Sequence, residues 1–355
     1  MNDVYEQLRE RLDNFSTGFP MTKNGSEMKV LKRLFSPNDA QMFLNLSPIL
    51  ETPGAIASRL KRNEKEIAGQ LEDMAQKGLL FRLRKTDSVK YSAVPFIIGI
   101  LEYQLNRIDK NFVQDVEEYF QSGFLQTIKA TETPLMRTVP INESLDEDSS
   151  ITPFDDIMKT IDEQKTVSVM ECICRKSQRM IDQGCNKPME ACFQFGSQAD
   201  YFVQNGIGRY VTPEQAKAMV KKILSEAPLV IQMANTQKGG GFCMCCGDCC
   251  GMLRSLKMQP NPAEMAKSNY QAVINSDECN GCEICIDCCQ MEAISVRDGV
   301  AVIDYNRCIG CGNCVMACPI PEALHLEKKQ AERMYTPPEN FAKTYMEIAR
   351  ERGKL

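Results

Sequence analysis

All eighteen cysteines of this 355-residue chain lie between Cys172 and Cys318, and no other feature limits its fold as much. Cysteine at such density braces small secreted domains through disulfides, but a chain this long can bury ordinary cores without them. Met1-Asn2-Asp3-Val4-Tyr5-Glu6 shows no basic stretch leading into an apolar one, and the longest apolar run, Val94 to Leu101, is too short to span a bilayer. We therefore expect a cytoplasmic protein with reduced thiols, and thiolates gathered in a reducing compartment point to metal. The single histidine, His325, leaves histidine-rich metal sites and a Ser-His-Asp triad without material. A formal net charge of −5 argues against nonspecific attraction to a nucleic-acid backbone.

Spacing divides the cysteines. Cys279, Cys282 and Cys285 are followed by Cys289, and Cys308, Cys311 and Cys314 by Cys318, so the run C-x2-C-x2-C-x3-C occurs twice. Ala293-Ile294 follows the first run as Ala323-Leu324 follows the second. Between them, Ser295 to Ile303 reads as two strands around a turn at Asp298-Gly299. Val296, Val300, Val302 and Ile303 are expected to floor the module, and Ile284, Ile309 and Val315 to shield it. Structural zinc is built from paired C-x2-C units, which this pattern is not. Over about fifty residues the segment resembles the bacterial dicluster ferredoxins. The resemblance implies two [4Fe–4S] clusters with crossed ligation. One cluster would take Cys279, Cys282, Cys285 and Cys318, the other Cys308, Cys311, Cys314 and Cys289. Two positions depart from the commonest pattern. Gln290 stands where the first repeat often has proline, whereas Pro319 follows Cys318, and Cys288 is an extra thiol.

Nine of the cysteines precede this module: Cys172, Cys174, Cys185, Cys192, Cys243, Cys245, Cys246, Cys249 and Cys250. Strand-like Val167–Met170 leads into the first pair, so alternation would set Cys172 and Cys174 on one face. Gly239-Gly240-Gly241, Gly247 and Gly251 would let backbone approach a cluster closely. We expect one or two further iron–sulfur clusters here, with zinc bound by cysteine, or buried redox-active thiols, as the alternatives. Cys245-Cys246-Gly247 resembles the CCG motif of heterodisulfide-reductase-type subunits, without that motif's long spacings. Arg175, Lys176 and Arg179 are either cations beside a cluster, favouring its reduced state, or a solvated helix face.

The cysteine-free N-terminal part reads as helices and a hairpin. Ser36-Pro37, Thr52-Pro53 and Asn63-Glu64 are helix starts. Ile67, Leu71, Met74 and Ala75 share the face of the third helix, and Gly78 stops it. Leu79–Lys85 and Val89–Val94 pair next, and Leu101 to Tyr119 reads as a further helix. This order resembles a winged helix-turn-helix domain. Its third helix would carry Glu64, Lys65, Glu66, Glu72, Asp73 and Lys77, a net negative set unsuited to phosphate, whereas the hairpin carries Arg82, Arg84, Lys85 and Lys90.

The expected class is α+β. A winged-helix-like domain spans residues 1–121, and a Cys-rich metal or iron–sulfur domain spans 122–258. The 2[4Fe–4S] ferredoxin module spans 277–326, and a charged helical tail 327–355. Asn142 to Ser150, with Glu143, Asp146, Glu147 and Asp148, reads as a solvated linker. The expected function is electron transfer, as a multi-cluster carrier or the wiring subunit of an anaerobic oxidoreductase, with redox partner proteins and self-association through the N-terminal domain. The alternative is an iron–sulfur redox-sensing transcription regulator that binds DNA. No acid–base pair marks an independent catalyst, and Gly206-Ile207-Gly208 is too short for a nucleotide loop.

Overall fold

The computed structural model describes residues 3–128, 131–145 and 151–355. Met1 and Asn2, and Asp146, Glu147 and Asp148 of the expected acidic linker, lie outside the described residues. Helices α1 (Val4–Asp13) and α2 (Ser26–Leu34) precede α3 (Pro37–Leu44), α4 (Pro53–Leu60) and α5 (Glu64–Gln76). The last three begin at capping side chains. Ser36 accepts from the Asp39 amide, Thr52 from that of Ala55, and Asn63 from those of Lys65 and Glu66. Strands β1 (Phe81–Lys85) and β2 (Ser88–Ser92) form the hairpin, and Glu51 bridges to Tyr91 at its edge. The expected helix from Leu101 is shorter, because Asp109 adopts an extended backbone and caps α6 (Lys110–Tyr119). Glu102–Gln104 forms a separate 3-10 turn.

This region does not end in a hinge. After α7 (Leu125–Ile128) the chain enters a six-stranded antiparallel sheet of order β3-β7-β8-β5-β4-β6. Its strands are β3 (Met136–Val139), β4 (Val167–Glu171), β5 (Glu190–Phe195), β6 (Arg209–Val211), β7 (Val230–Ala234) and β8 (Gly241–Cys245). Between them run α8 (Ile157–Asp162), α9 (Ile173–Met180), α10 (Gly196–Gln204) and α11 (Pro213–Glu226), the last opened by a Thr212–Gln215 capping box. Tyr201 on α10 donates to the carbonyls of Ala75 and Leu80, both at 2.9 Å, and its ring lies 5.4 Å from Phe81. One apolar core therefore runs from α5 and the hairpin into the sheet domain.

Strand alternation gives the sheet two different faces. Val169, Phe193, Ile231, Phe242 and Met244 pack with Ile157 and Ile161 of α8 and with Val220 and Ile223 of α11. Phe193 and Phe242 stack at 4.5 Å. Neighbouring positions Cys192, Cys243 and Cys245 take the opposite side, toward the N-terminal core and the C-terminal module.

The C-terminal part contains α12 (Gly251–Lys257), α13 (Pro262–Met265), β9 (Tyr270–Ile274), α14 (Ile284–Asp287), β10 (Ile294–Arg297), β11 (Val300–Ile303), α15 (Asn313–Ala317) and β12 (Leu324–Lys328). β10 and β11 form the central hairpin, with Asp298 and Gly299 at positive φ, and β9 pairs antiparallel with β12. Helix α16 (Phe341–Glu351), capped by Asn340, folds back rather than trailing. Ile348 is fully buried, and Arg352 reaches Asp13 at 2.7 Å. No helix among the described residues is long and apolar enough to cross a membrane.

A buried ion pair fastens the module to the sheet. Arg137 on β3 pairs with Asp155, both essentially inaccessible, and Asp155 also accepts from Asn269 Nδ2, just before β9, at 2.8 Å. Removing one partner strands the other charge in a low dielectric. Asp155→Ala should cost about 3–5 kcal/mol, read as a lowered urea midpoint, whereas Arg137→Met/Asp155→Leu should recover most of it. Equal losses in both variants would contradict this account.

Candidate metal centres

In the C-terminal module, thiols surround two cavities. Cys279, Cys282, Cys285 and Cys318 line one with Ile274, Ala301 and Leu324. Cys289, Cys308, Cys311 and Cys314 line another with Met291, Ile303 and Ile309. Each cavity thus has three thiols from one run and one from the other. The two runs also share backbone shape. Gly281 and Gly310 have φ of 66° and 61°, and Glu283 and Gly312 have 67° and 89°. A Cβ at Gly281 or Gly310 would strike the Gly299 or Tyr270 carbonyl, so only glycine fits the tight turn. Burial pushes the Cys308, Cys311 and Cys314 thiols up, so without metal they stay protonated, and a bound metal is what holds such thiols as thiolates. The donor set and the cavities fit a four-iron cubane.

Two expectations about this module change. Ile284 is 45 % exposed and shields nothing. Val302 points outward at 38 % exposure, because pairing register turns Ala301 and Ile303 inward instead. The extra thiol, Cys288, lines neither cavity. It is buried, donates to the Cys285 carbonyl at 3.3 Å, and burial pushes it up to about 12.

The nine earlier cysteines form two sets: Cys192, Cys243 and Cys245 lie on the cysteine-bearing face of the sheet, whereas Cys185, Cys246 and Cys249 pack against the cluster of the helix-covered face. The first is a chain of contacts through six thiols, running Cys172, Cys174, Cys250, Cys245, Cys243, Cys192. Cys192 and Cys243 face each other across β5 and β8, their Sγ atoms 2.7 Å apart. The second set is Cys185, Cys246 and Cys249, with Cys185 Sγ at 3.6 Å from Cys246 and 3.7 Å from Cys249. The string Cys245-Cys246-Gly247-Asp248-Cys249-Cys250 is therefore nested. Its outer cysteines join the first set and its inner cysteines the second.

Cys172 and Cys174 do not alternate along a strand. A register shift at Met170/Glu171 ends β4, Cys172 caps α9, and Cys174 lies in its first turn. They still meet, through the helix start. The three glycines Gly239, Gly240 and Gly241 shape the β7–β8 hairpin, where Gly241 packs on the Phe193 carbonyl, rather than approaching thiols. Gly247 does approach the module. Its N–H donates to Gln290 Oε1 at 2.7 Å, and a Cβ there would press on the Gln290 carbonyl. Beside this contact, Cys245 and Cys250 share an apolar cluster with Met291 and Ile309, against which Cys289, Cys308 and Cys311 pack.

The three cations after Cys174 have three different roles. Lys176 pairs with Glu171 at 3.0 Å at the surface. Arg179 donates to the carbonyls of Cys185 and Lys187, holding that loop. Arg175 is fully buried. Its guanidinium donates to the Pro188 and Met244 carbonyls, its Nε has no partner, and no carboxylate pairs with it among the described residues. What surrounds it is sulfur. Burial works against its charge, but Cys172, Cys246 and Cys245 hold its pKa above the usual arginine value. Donation from Cys249, with Arg175 beside it, brings Cys246 down to about 4. A buried guanidinium balanced only by thiols is the electrostatic signature of thiolates, the form that binds metal.

Among known families, the 4Fe-4S binding domain model matches residues 300–324, which cover β11, the second cysteine run and the start of β12. No curated protein matches the chain, and no solved structure does. The chain therefore carries an iron–sulfur domain near its C-terminus, and with it at least one iron–sulfur cluster.

Arg175→Met would remove the counter-charge and leave two buried carbonyls without donors. Whatever metal the middle cysteines hold should fall several-fold after a chelator challenge, while iron in the C-terminal module stays. Unchanged retention of the middle metal would show that the guanidinium does not neutralise thiolates.

Proposed function

We propose that the protein is a multi-cluster iron–sulfur electron carrier, or the electron-wiring subunit of an anaerobic oxidoreductase. Two [4Fe–4S] clusters would be held by Cys279, Cys282, Cys285 and Cys318 and by Cys308, Cys311, Cys314 and Cys289. The six-thiol set around Cys243 would hold a further iron–sulfur cluster. Clusters of this kind supply one-electron redox chemistry, and the chain's own residues bury them, exclude water and set their charge environment. One observation carries the reading. The second thiol-lined cavity and the six-thiol set share a single apolar cluster, so redox centres would stand one after another with no solvent between.

Regulation by DNA binding has less support. Arg82, expected on an exposed wing, is 2 % exposed and is bonded to Glu72, Gln204 and Asn205. Arg84 also bonds Glu72. The winged-helix-like part would then be a docking or dimerisation element, its hairpin already spent on α10. Redox partner proteins, rather than nucleic acid, are the expected partners.

Anaerobically purified protein should contain at least about eight iron and eight labile sulfide per chain, with an excess arising from the middle thiols. Zinc without sulfide would sink the proposal, and sequence-specific DNA binding that collapses with rising salt would favour the regulator. Cys318→Ala should abolish the EPR signal of the cluster built on the first cysteine run, although Cys318 belongs to the second. Survival of that signal would refute crossed ligation.

A further inference from the structure

The inner pair of the nested cysteine string has its own third partner and its own geometry. Cys246 and Cys249 stand on the turn between β8 and α12, and Cys185 comes from the loop between α9 and β5 that Arg179 pins from behind. Their three Sγ atoms all lie within 4.8 Å of one another, two of the separations being 3.6 and 3.7 Å. Thiolates about 2.3 Å from one tetrahedral ion sit roughly 3.8 Å apart, since a tetrahedron's edge is about 1.6 times its centre-to-corner distance. The trio therefore has the spacing of three corners of such a tetrahedron. The module's cysteines contrast with it. Among the described residues they form no such compact set, and stand instead around two cavities.

The surroundings supply charge but no fourth thiol, because Cys245 and Cys250 belong to the other set. Arg175 lies against Cys246 from the buried side. Lys187, bonded to the half-exposed Asp248 at 2.7 Å, brings a second cation to the rim, next to Cys185 and Cys246. Three thiolates and a divalent ion leave one negative charge, which Arg175 offsets. Lys187 remains to meet an incoming anion.

We infer that Cys185, Cys246 and Cys249 hold one tetrahedral thiophilic ion of the zinc class, whose fourth position is open to an exogenous ligand such as water or a small thiolate. Three protein ligands and one free position are the arrangement by which zinc binds and activates a ligand rather than merely bracing a fold. The inference deepens the reading above by assigning the thiols it leaves over, and it does not require the six-thiol set to hold a cluster.

The test uses the full chain, purified anaerobically, with cobalt(II) as the probe of the site. One equivalent of cobalt should give the absorption of a tetrahedral thiolate site. It should be absent in Cys185→Ser and in Cys249→Ser, with iron and sulfide unchanged in both variants. Adding 2-mercaptoethanol should shift the spectrum as the fourth ligand is replaced. Loss of about four iron and four sulfide in either variant would overturn the inference in favour of a cubane on these thiols. A cobalt spectrum unmoved by the thiol would overturn the open position. Because iron in the C-terminal module is counted in the same samples, failure of this inference and failure of the electron-transfer reading give different results.

Discussion

A guanidinium sealed among thiols governs the middle of this protein. Arg175 has no carboxylate to pair with among the described residues, and burying an uncompensated charge costs several kcal/mol. The structure offers two carbonyls and a group of sulfurs as compensation. Two carbonyl dipoles do not neutralise a full charge, so the thiols must supply anions. Cys246, brought down to about 4 by donation from Cys249 with Arg175 beside it, supplies one. The same side chain crosses from Cys172 of one set to Cys246 of the other, so the two sets are coupled by one charge.

That arrangement depends on the sheet. Period-2 alternation gives Phe193, Phe242 and Met244 to the helical face and Cys192, Cys243 and Cys245 to the opposite one. The stacked Phe193–Phe242 pair fixes the register between β5 and β8, and a one-residue slip of β8 would send Cys243 and Cys245 into the hydrocarbon core. Past β8 the chain turns, and the two consecutive cysteines diverge. Cys245 stays with the strand face, while Cys246 swings toward Cys185.

The sequence exposed ligands whose partners are close in the chain and concealed those brought together by register. The two four-cysteine runs are visible from spacing, whereas the exchange of their fourth thiols came from the resemblance to the dicluster ferredoxins. Strand β9 went unseen because its partner, β12, lies some fifty residues away, with both cysteine runs between them. For the nine middle cysteines no spacing rule reveals that Cys192 faces Cys243 or that Cys185 joins Cys246 and Cys249. The nested pattern from Cys245 to Cys250 was the one readable hint, since neighbours on a turn point to different sides. Arg82 was hidden for a related reason: its guanidinium is taken up by Gln204 and Asn205 at the end of a distant helix, α10.

Departures from a repeat can mark what the repeat is attached to. Pro319 follows the second cysteine run and lines the first cavity, whereas Gln290 follows the first run and lines the second. A proline at 290 could close the wall of that cavity equally well, but it could not reach outward. Gln290 does both, because its side-chain oxygen accepts from Gly247 while its backbone carbonyl blocks any side chain there. The glycine after Cys246 and the glutamine after Cys289 are thus one contact seen from its two sides. It joins a ligand loop of the module to the turn that separates the two thiol sets. The place where the first repeat breaks its pattern is the place where the module meets the middle thiols.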